Sequence, residues 1–250
     1  MPDLTLRVLG CGDAFCSGGQ LQTCFHLKTR EQTLLLDCGA TVLLALQQQN
    51  VDPASIDGIL LSHLHGDHFG GVPFFLIHAQ FKVRRTRKLT IIGPVGTKDR
   101  INAAIEVLFP DLKSTVWNFP LDVIEIEAGS DEVIGDLSVW SYLVDHPSGA
   151  PSLAYRLESR GKVLAFSGDT RWTDALIEIA DGADLLIAEC HGYRPNGIHH
   201  LDWQTLNDRK DELRARRILL THMSDSMLSR LETLDRGQFE FAKDGLATTV

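Results

Sequence analysis

The chain has 250 residues, of which 44% are hydrophobic and 23% charged, a composition typical of a folded globular protein and not of a disordered one. Its formal net charge of −9 provides no overall basic surface for a nucleic acid. The five cysteines are irregularly spaced and form no CxxC pair, which argues against a disulfide framework and predicts a reducing, cytoplasmic location. We expect neither a signal peptide nor a membrane helix, since no apolar run approaches roughly 18 residues.

Two stretches of the chain predict the same order of elements, although they share few residue identities. Residues 4–40 predict a strand, a glycine-rich loop, a strand, a tight hairpin and a strand, and residues 137–170 predict the same series. A helical pattern follows each stretch, with Thr41 and Thr173 as predicted N-caps. A continuous apolar strand then runs into histidine, and a further helix and a buried strand complete each half.

This repeat predicts a single domain over residues 1–250, with halves at about 1–130 and 131–250. Two halves that each mix strands and helices indicate an α/β architecture in which two sheets pack face to face and the helices lie outside. The apolar strands are expected to be buried on both faces. Functional residues would then lie on loops at one edge of the sheets, held by a rigid scaffold.

The stretch LSHLHGDHFGG carries the most distinctive chemistry in the chain. His63 and His65 are two residues apart, so their side chains point the same way while the chain stays extended. Asp67 and His68 follow where the chain bends toward a helix, and they can face a second point nearby. Imidazoles and a carboxylate in this arrangement suit two adjacent cations of the zinc, manganese or iron kind.

These residues saturate neither ion, so the remaining ligands must come from the second half of the chain. His146, Asp169 and His222 all lie at predicted strand ends, and in the repeat their positions mirror the loops of the first half. They can therefore converge on the same edge. Isolated histidines such as His26 and His78 are expected to be packing residues, because a lone histidine is more often structural than a ligand.

This series of residues resembles the signature of the metallo-β-lactamase superfamily: HLHGDH, then a lone histidine, a Gly-Asp-Thr and a late Thr-His, over residues 63–222. The resemblance implies a four-layer αββα sandwich with an internal pseudo-twofold repeat and a binuclear metal site. It implies two divalent ions, with zinc favoured over manganese or iron. The ligands it implies are His63, His65 and His146 on the first metal, Asp67, His68 and His222 on the second, and Asp169 bridging the two with a water or hydroxide.

Three further residues near the predicted site are expected to support it without binding metal. Asp37 looks like a ligand, but its half already supplies four, and we interpret it as a carboxylate that holds the metal-binding loop. Cys38 and Cys190 are close to the site in the sequence, yet the resemblance gives neither a ligand role. We expect both to be buried structural thiols.

The stretch AECHGYRPNGIHHLDWQTL resembles the phosphodiesterase branch of this superfamily, which includes ribonuclease Z and the bacterial cyclic phosphodiesterases of phosphonate breakdown. In that branch a strand is followed by a loop that carries a histidine and then by a helix. His200 matches that histidine, with His199 as the adjacent alternative. A histidine that binds no metal is suited to protonating the departing alkoxide or to binding the phosphate. The resemblance therefore implies Asp67 and His200 as catalytic residues.

The expected substrate is a small or cyclic phosphodiester. Ribonuclease Z enzymes commonly carry a long arm between the third-histidine motif and the bridging aspartate, whereas this chain has only a plain hairpin between His146 and Asp169. With the acidic charge balance, this disfavours transfer RNA as the main substrate. The cysteine-rich zinc site of the phosphonate-pathway enzyme is also absent from the sequence, so its particular substrate cannot be carried over. No membrane partner is expected, and a homodimer stays open.

Other functions compete with this interpretation. A lactonase, a β-lactamase or another non-phosphate hydrolase would use the same fold, and a ribonuclease Z-like nuclease would use the same branch. A di-iron electron-transfer or oxygen-reducing protein is disfavoured by His65 and by the chain length. The full set of predicted ligands disfavours a metal-binding module without catalytic activity.

Overall fold

The computed structural model describes residues 3–195, 197 and 199–250. The described residues form two seven-stranded sheets. The strands are β1 (Thr5–Gly10), β2 (Cys24–Lys28), β3 (Thr33–Leu36), β4 (Gly58–Leu60), β5 (Leu89–Pro94), β6 (Leu121–Ile126), β7 (Asp131–Ile134), β8 (Leu137–Val144), β9 (Ser152–Ser159), β10 (Lys162–Phe166), β11 (Leu185–Glu189), β12 (Ile218–Thr221), β13 (Phe239–Phe241) and β14 (Ala247–Thr249). The spatial orders are β14-β1-β2-β3-β4-β5-β6 and β13-β12-β11-β10-β9-β8-β7.

Short helices connect these strands. They are α1 (Val42–Gln48), α2 (Gly66–Phe69), α3 (Val72–Ile77), α4 (Thr97–Leu108), α5 (Ala175–Ala180), α6 (Trp203–Asp208) and α7 (Asp225–Leu228). A π-helical turn over His78–Val83 extends α3. No helix in the described part of the chain combines the length and the apolar character that crossing a membrane requires.

The two sheets repeat one pattern of strand pairing. The pairs β1–β2 and β2–β3 are antiparallel, whereas β3–β4 and β4–β5 are parallel. The pairs β8–β9 and β9–β10 are likewise antiparallel, and β10–β11 and β11–β12 are parallel. The internal repeat predicted from the order of elements is therefore a repeat of topology. One strand departs from the division into halves, because β14 returns to pair with β1 in the first sheet.

Apolar side chains divide the molecule into four layers. One core cluster lies between the sheets and includes Leu6 and Phe25 from the first and Tyr155 and Phe166 from the second. A second cluster joins the outer face of the first sheet to α1, α3 and α4, and a third joins the outer face of the second sheet to α5, α6 and α7. Strands that are covered on both faces need continuous apolar runs, as in β11, where all five residues are buried. The predicted αββα sandwich is confirmed.

The two predicted N-caps have different outcomes. Thr41 occupies the N-cap position of α1, but its hydroxyl accepts a hydrogen bond from the Gln22 backbone instead of capping the helix (2.9 Å). The prediction for Thr173 is wrong by one residue, because α5 begins at Ala175 with Asp174 as its N-cap. Aspartate is preferred over threonine at the N-cap, so residue preference favoured the neighbouring Asp174.

Candidate metal centre

The predicted ligands lie on loops that leave the carboxyl ends of strands in both sheets. His63 and His65 follow β4, Asp67 and His68 lie in α2, His146 follows β8, Asp169 follows β10 and His222 follows β12. The pairing pattern makes β8, β10, β11 and β12 run in one direction, so their carboxyl ends share one edge of the second sheet. The structure places these side chains together in two adjacent groups.

The first group contains His63, His65 and His146, each of which offers a ring nitrogen. Nε2 of His146 lies 3.0 Å from Nδ1 of His65, and the ring centroid of His63 is 4.9 Å from that of His146. Two nitrogens bound to one tetrahedral zinc at roughly 2.0–2.1 Å would be about 3.3 Å apart. The spacing therefore fits three imidazoles around one cation.

The second group contains Asp67, His68, Asp169 and His222, all of them buried. Oδ2 of Asp169 is its common point, at 3.2 Å from Nε2 of both His68 and His222. The same oxygen lies 3.9 Å from Nε2 of His63 and 4.0 Å from Nε2 of His146, which belong to the first group. One carboxylate oxygen thus faces both groups, the position that a bridging ligand requires.

Hydrogen bonds from the outer ring nitrogens fix how these imidazoles face. Asp37 accepts from Nδ1 of His68 at 2.6 Å, and its carboxylate also accepts from the backbone N–H and the hydroxyl of Ser62 at 2.7 and 2.8 Å. Nδ1 of His63 in turn bonds to the Ser62 hydroxyl at 3.0 Å. Because each Nδ1 is engaged in this way, Nε2 of His63 and of His68 faces the centre, an arrangement common among metal-ligating histidines.

His222 and His146 are oriented by the same principle. Nδ1 of His222 bonds at 3.2 Å to the hydroxyl of Thr23, which itself donates to the carbonyl of Gly12. Nδ1 of His146 donates to the backbone carbonyl of His199 at 2.8 Å. Both imidazoles therefore carry the proton on Nδ1 and turn Nε2 toward Asp169.

Two site residues have a left-handed backbone that non-glycine residues seldom adopt. Asp37 has a φ of 57° directly after β3, and His222 has a φ of 58° directly after β12. This conformation costs of order 1–3 kcal/mol and persists where the surrounding contacts fix it. Here the contacts are the hydrogen bonds of Asp37 to the Ser62 and His68 side chains, and the bond from the His222 N–H to the carbonyl of Cys11 (2.9 Å).

The electrostatics of the cluster favour neutral imidazoles at His63 and His222, an ionised carboxylate at Asp169 and a protonated imidazole at His68. Burial lowers the pKa of His222 to about 4 and holds the pKa of His63 well below its ordinary value. Burial acts against ionisation of Asp169, yet the surrounding histidines, His222 first, keep the pKa of this carboxyl well below its usual range. Burial alone would lower the pKa of His68, but Asp169 and Asp37 raise it well above its usual value.

The residues present fit divalent metal ions. Among the described residues, the buried Nε2 atoms of His63 and His68 have no hydrogen-bond partner. Leaving a buried polar atom without a partner is costly, and both atoms face the carboxylate oxygen of Asp169. Nitrogen and carboxylate donors in two groups, with supporting hydrogen bonds behind them, are the donor set that zinc and its neighbours in the periodic table prefer.

His200 lies beside the metal-ligating cluster and is held by a buried carboxylate. Its Nδ1 is 3.0 Å from both oxygens of Glu189 and 3.8 Å from Oδ2 of Asp169. His146, Asp169 and His200 could in principle form a third metal group. The contact with Glu189 opposes this, because it already engages the nitrogen of His200 that lies nearest to Asp169.

His199, the alternative to His200, has a different environment. Its Nδ1 donates to Oδ1 of Asp145 at 2.8 Å, and 41% of its side chain is exposed. Only its backbone carbonyl contacts the cluster, through His146. The structure therefore places the imidazole of His200, and not that of His199, next to Asp169.

Sequence reasoning assigned no role to two side chains in this site. Glu189 ends β11 as a fully buried carboxylate, and a glutamate that closes an apolar strand is a signal that could have identified it. The imidazole of His191 stacks on that of His200, with ring centroids 4.7 Å apart, and its Nε2 lies 3.8 Å from the Asp13 carboxylate. The contact between His191 and Asp13 depends on the packing of two loops that are distant in the sequence. No local sequence pattern predicts it.

The cysteines lie outside the metal groups found among the described residues. Cys38 and Cys190 are buried, and burial is the main reason that the pKa of each thiol is raised, which keeps both protonated. All five cysteines of the chain are free thiols. His26 and His78 lie on β2 and at the end of α3, likewise outside these groups.

The two repeated sheets and the paired histidine–aspartate groups define a protein of the metallo-β-lactamase fold. The chain belongs to the family described as anti-Pycsar protein Apyc1, which matches residues 4–247. A protein of Mycobacterium leprae, ML1173, is 30% identical over 94% of this chain and 83% of its own length, and it is described as uncharacterised. Ribonuclease Z of Macrococcus caseolyticus is 25% identical over 62% of this chain, and the match spans 65% of that enzyme, less than two thirds.

Solved structures show the same fold. The metallo-β-lactamase fold protein YhfI from Bacillus subtilis superposes with a TM-score of 0.78, covers 99% of both chains and is 21% identical. A diphosphatase from the PhnP family superposes with a TM-score of 0.80 over 99% of this chain and 98% of that one, at 16% identity. The predicted membership of the metallo-β-lactamase superfamily, in the branch similar to ribonuclease Z and the phosphodiesterases, is confirmed.

Proposed function

We propose that this chain is a metal-dependent hydrolase that uses two divalent ions, zinc in first place, to cleave a small or cyclic phosphodiester. The observation that carries this proposal is the contact between Glu189 and His200 beside the two metal-ligating groups. A metal-dependent hydrolase of any substrate needs the two groups. A phosphodiesterase also needs a proton donor that does not bind metal, because the alkoxide leaving group must be protonated as it departs.

The role proposed for each residue is based on the geometry of the site. His63, His65 and His146 would hold one ion, Asp67, His68 and His222 the other, and Asp169 would bridge them. When bound, the two ions would supply positive charge to the phosphoryl oxygens and a nucleophile from water. Asp67 would take part in catalysis as a member of the second group. The hydrogen bonds to the outer nitrogens of the ligand imidazoles would hold these rings in position for the substrate.

His200 is suited to be the general acid. Burial acts against its protonation, but the hydrogen bond and charge of Glu189 raise the pKa of His200 to about 9. The contact with Glu189 therefore favours the protonated imidazole, the form that a general acid needs. Its Nδ1 is engaged by Glu189, so Nε2 is the nitrogen from which a proton would pass to the departing alkoxide oxygen. The Glu189 carboxylate would then stabilise the tautomer of His200 that carries its proton on Nδ1.

The relatives support a phosphate ester as the substrate without identifying it. One curated relative is named ribonuclease Z, and one solved structure of the same fold is named a diphosphatase. In this chain the segment between His146 and Asp169 forms the plain β9–β10 hairpin, with no inserted arm. We therefore favour a small phosphodiester over transfer RNA. The five free cysteines support a reducing compartment as the place of this activity.

The test is a substrate panel combined with one substitution. Purified protein loaded with zinc or manganese is assayed on cyclic nucleotides, p-nitrophenyl phosphodiesters, lactones and nitrocefin. His200→Ala should keep its metal and lose about a hundred- to ten-thousand-fold in turnover on substrates with poor alkoxide leaving groups. It should lose much less on p-nitrophenyl esters, whose leaving group departs without a proton. Hydrolysis of lactones or nitrocefin but of no phosphodiester would refute the proposal.

A further inference from the structure

Asp145 connects three loops of the site, although it contacts neither of the two metal-ligating groups. It directly precedes His146 at the end of β8. Oδ1 of Asp145 accepts from Nδ1 of His199 at 2.8 Å, and Oδ2 forms an ion pair with the guanidinium of Arg171. His199 directly precedes His200, and Arg171 lies two residues after Asp169. The carboxylate next to His146 thus binds one residue beside His200 and one residue close to Asp169.

Backbone contacts reinforce the same junction. The backbone N–H of Asp145 donates to the hydroxyl of Thr170 at 3.1 Å, and the N–H of Arg171 donates to the carbonyl of Asp145 at 3.2 Å. The loops after β8 and β10 are therefore tied by two bonds that need no carboxylate. Among the described residues, the loop that carries His199 and His200 reaches this junction by two bonds of His199: its side chain binds Asp145, and its backbone carbonyl binds His146.

The loop after β11 also reaches the metal-ligating cluster through its backbone. The carbonyl of His199 accepts from Nδ1 of His146 at 2.8 Å, and this bond orients the imidazole of His146. The hydrogen bond between His199 and Asp145 therefore holds in place a carbonyl on which His146 depends. It also fixes the chain one residue before His200, whose imidazole must stay beside Asp169.

We propose that Asp145 is a positioning residue that, by binding the side chain of His199, holds the loop of His200 against the metal-ligating cluster. This inference rests on the proposed function insofar as His146 is a ligand and His200 is the general acid. Asp145 would neither touch substrate nor bind metal. Its contribution would be to the orientation of His146 and to the fraction of molecules in which His200 is in position.

The proposal predicts effects on metal binding that need no substrate. In Asp145→Ala the side chain of His199 loses its partner, so the carbonyl of His199 is held less firmly on His146. Loss of such an outer hydrogen bond typically weakens metal affinity 10- to 100-fold. We expect a loss of at least ten-fold, measured with a competing chelator, and faster amide hydrogen exchange in the peptide that covers residues 190–202. Asp145→Asn keeps an oxygen acceptor for His199 and should recover most of the affinity.

The matched control is Asp122→Ala. Like Asp145, Asp122 forms an ion pair, in this case with Lys88 at 2.7 Å, but it is exposed and lies on β6 of the other sheet. The Asp122→Ala variant should have unchanged metal affinity and unchanged amide hydrogen exchange in residues 190–202. His199→Ala should reproduce most of the loss seen in Asp145→Ala, because both remove the bond between Asp145 and His199. Asp145→Ala also removes the ion pair with Arg171, so the double variant should lose about as much as Asp145→Ala alone.

Turnover provides the second measurement. At saturating metal, on substrates with poor leaving groups, Asp145→Ala should lower kcat about ten-fold and change KM little. Under the same conditions, adding it to His200→Ala should cause no further loss in kcat. The proposal is overturned if Asp145→Ala binds metal as tightly as the unaltered chain with unchanged exchange in residues 190–202, or if the losses of Asp145→Ala and His199→Ala add in full. If no phosphodiester is cleaved, the proposed function fails, while metal affinity and exchange still decide the role of Asp145.

Discussion

Nδ1 of His68 donates a 2.6 Å hydrogen bond to Oδ2 of Asp37, a residue that directly follows β3 and has a left-handed backbone. The same carboxylate binds the backbone and the hydroxyl of Ser62, so it fixes the start of the loop that carries His63 and His65. Asp37 therefore orients residues of both candidate metal-binding groups, although it belongs to neither of them.

The first prediction concerns this carboxylate. Asn tolerates left-handed backbone, so Asp37→Asn changes the charge and one acceptor without straining the chain. Metal affinity should fall 10- to 100-fold, as measured by competition with a chelator. The control is Asp184→Asn, in which another largely buried carboxylate loses its bond to the Val163 N–H (3.0 Å) away from the site. Equal affinity in the Asp37→Asn and Asp184→Asn variants would contradict the role assigned to Asp37.

The second prediction compares two glycines of the metal-binding region. A Cβ at Gly39 would lie 2.5 Å from the backbone oxygen of Asp67, whereas a Cβ at Gly66 meets nothing within 4 Å. Gly39→Ala must push the segment of Asp67 away, and overpacking of this kind costs about 1–3 kcal/mol. Gly66→Ala should be neutral or stabilise by about 0.4–1 kcal/mol, because it restricts the unfolded chain at no steric cost. Urea unfolding and metal content are measured for both variants. If Gly39→Ala were as stable as the unaltered chain, the segment of Asp67 would be able to shift without cost, contrary to this prediction.

The third prediction is the metal content itself. Elemental analysis of the purified protein should find close to two transition-metal ions per chain, as the proposed pair of metal-binding groups requires. His63→Ala and His222→Ala each remove one imidazole from a different group and should lose metal and activity together. His26→Ala, which changes a histidine outside the groups, is the control. Full metal content in both site variants would refute the ligand assignment.

The fourth prediction concerns the pH dependence of stability. Burial, together with Arg7 and Lys28, lowers the pKa of His26 to about 4. In the unfolded chain the pKa is near 6.5, so between these values the unfolded state binds more protons and folding stability falls as the pH falls. The loss should amount to about 1–2 kcal/mol, which is less than the full shift implies because the ring is only partly buried.

His26→Gln removes this titration. In urea unfolding of metal-stripped protein, the variant should lose less stability than the unaltered chain between pH 6.5 and pH 4. Above pH 6.5 the two curves should run parallel, since His26 is then neutral in both states. A variant whose stability falls as steeply as that of the unaltered chain would exclude His26 as a source of the pH dependence.

The sequence was sufficient to predict the fold and which residues the structure brings together in the two candidate metal-binding groups. Ligand spacing in HLHGDH is local, and the repeated order of strands predicted which later strand ends could converge with it. The interpretation of Asp37 as a supporting carboxylate agrees with its contacts to Ser62 and His68.

The supporting contacts of the second half could not be predicted in the same way. The bond of Asp145 to His199 spans 54 residues, and the bond of His146 to the carbonyl of His199 involves the backbone, which carries no residue-specific signal. Glu189 could be recognised as unusual in an apolar strand, but its partner His200 depends on how the following loop turns. Such contacts are decided by tertiary packing, and a single sequence offers no period or spacing that reports them.

The pairing of β14 with β1 has a consequence for how the protein is made. Thr5 lies opposite Thr249, so the first sheet is bordered on one side by a strand that leaves the ribosome after all the others. Until then β1 presents an open edge, and unpaired strand edges invite association with other chains. Asp244, which binds the backbone N–H groups of Cys11 and Leu21, arrives equally late in synthesis. A nascent chain arrested before this segment would therefore have most of its core and yet be prone to aggregate.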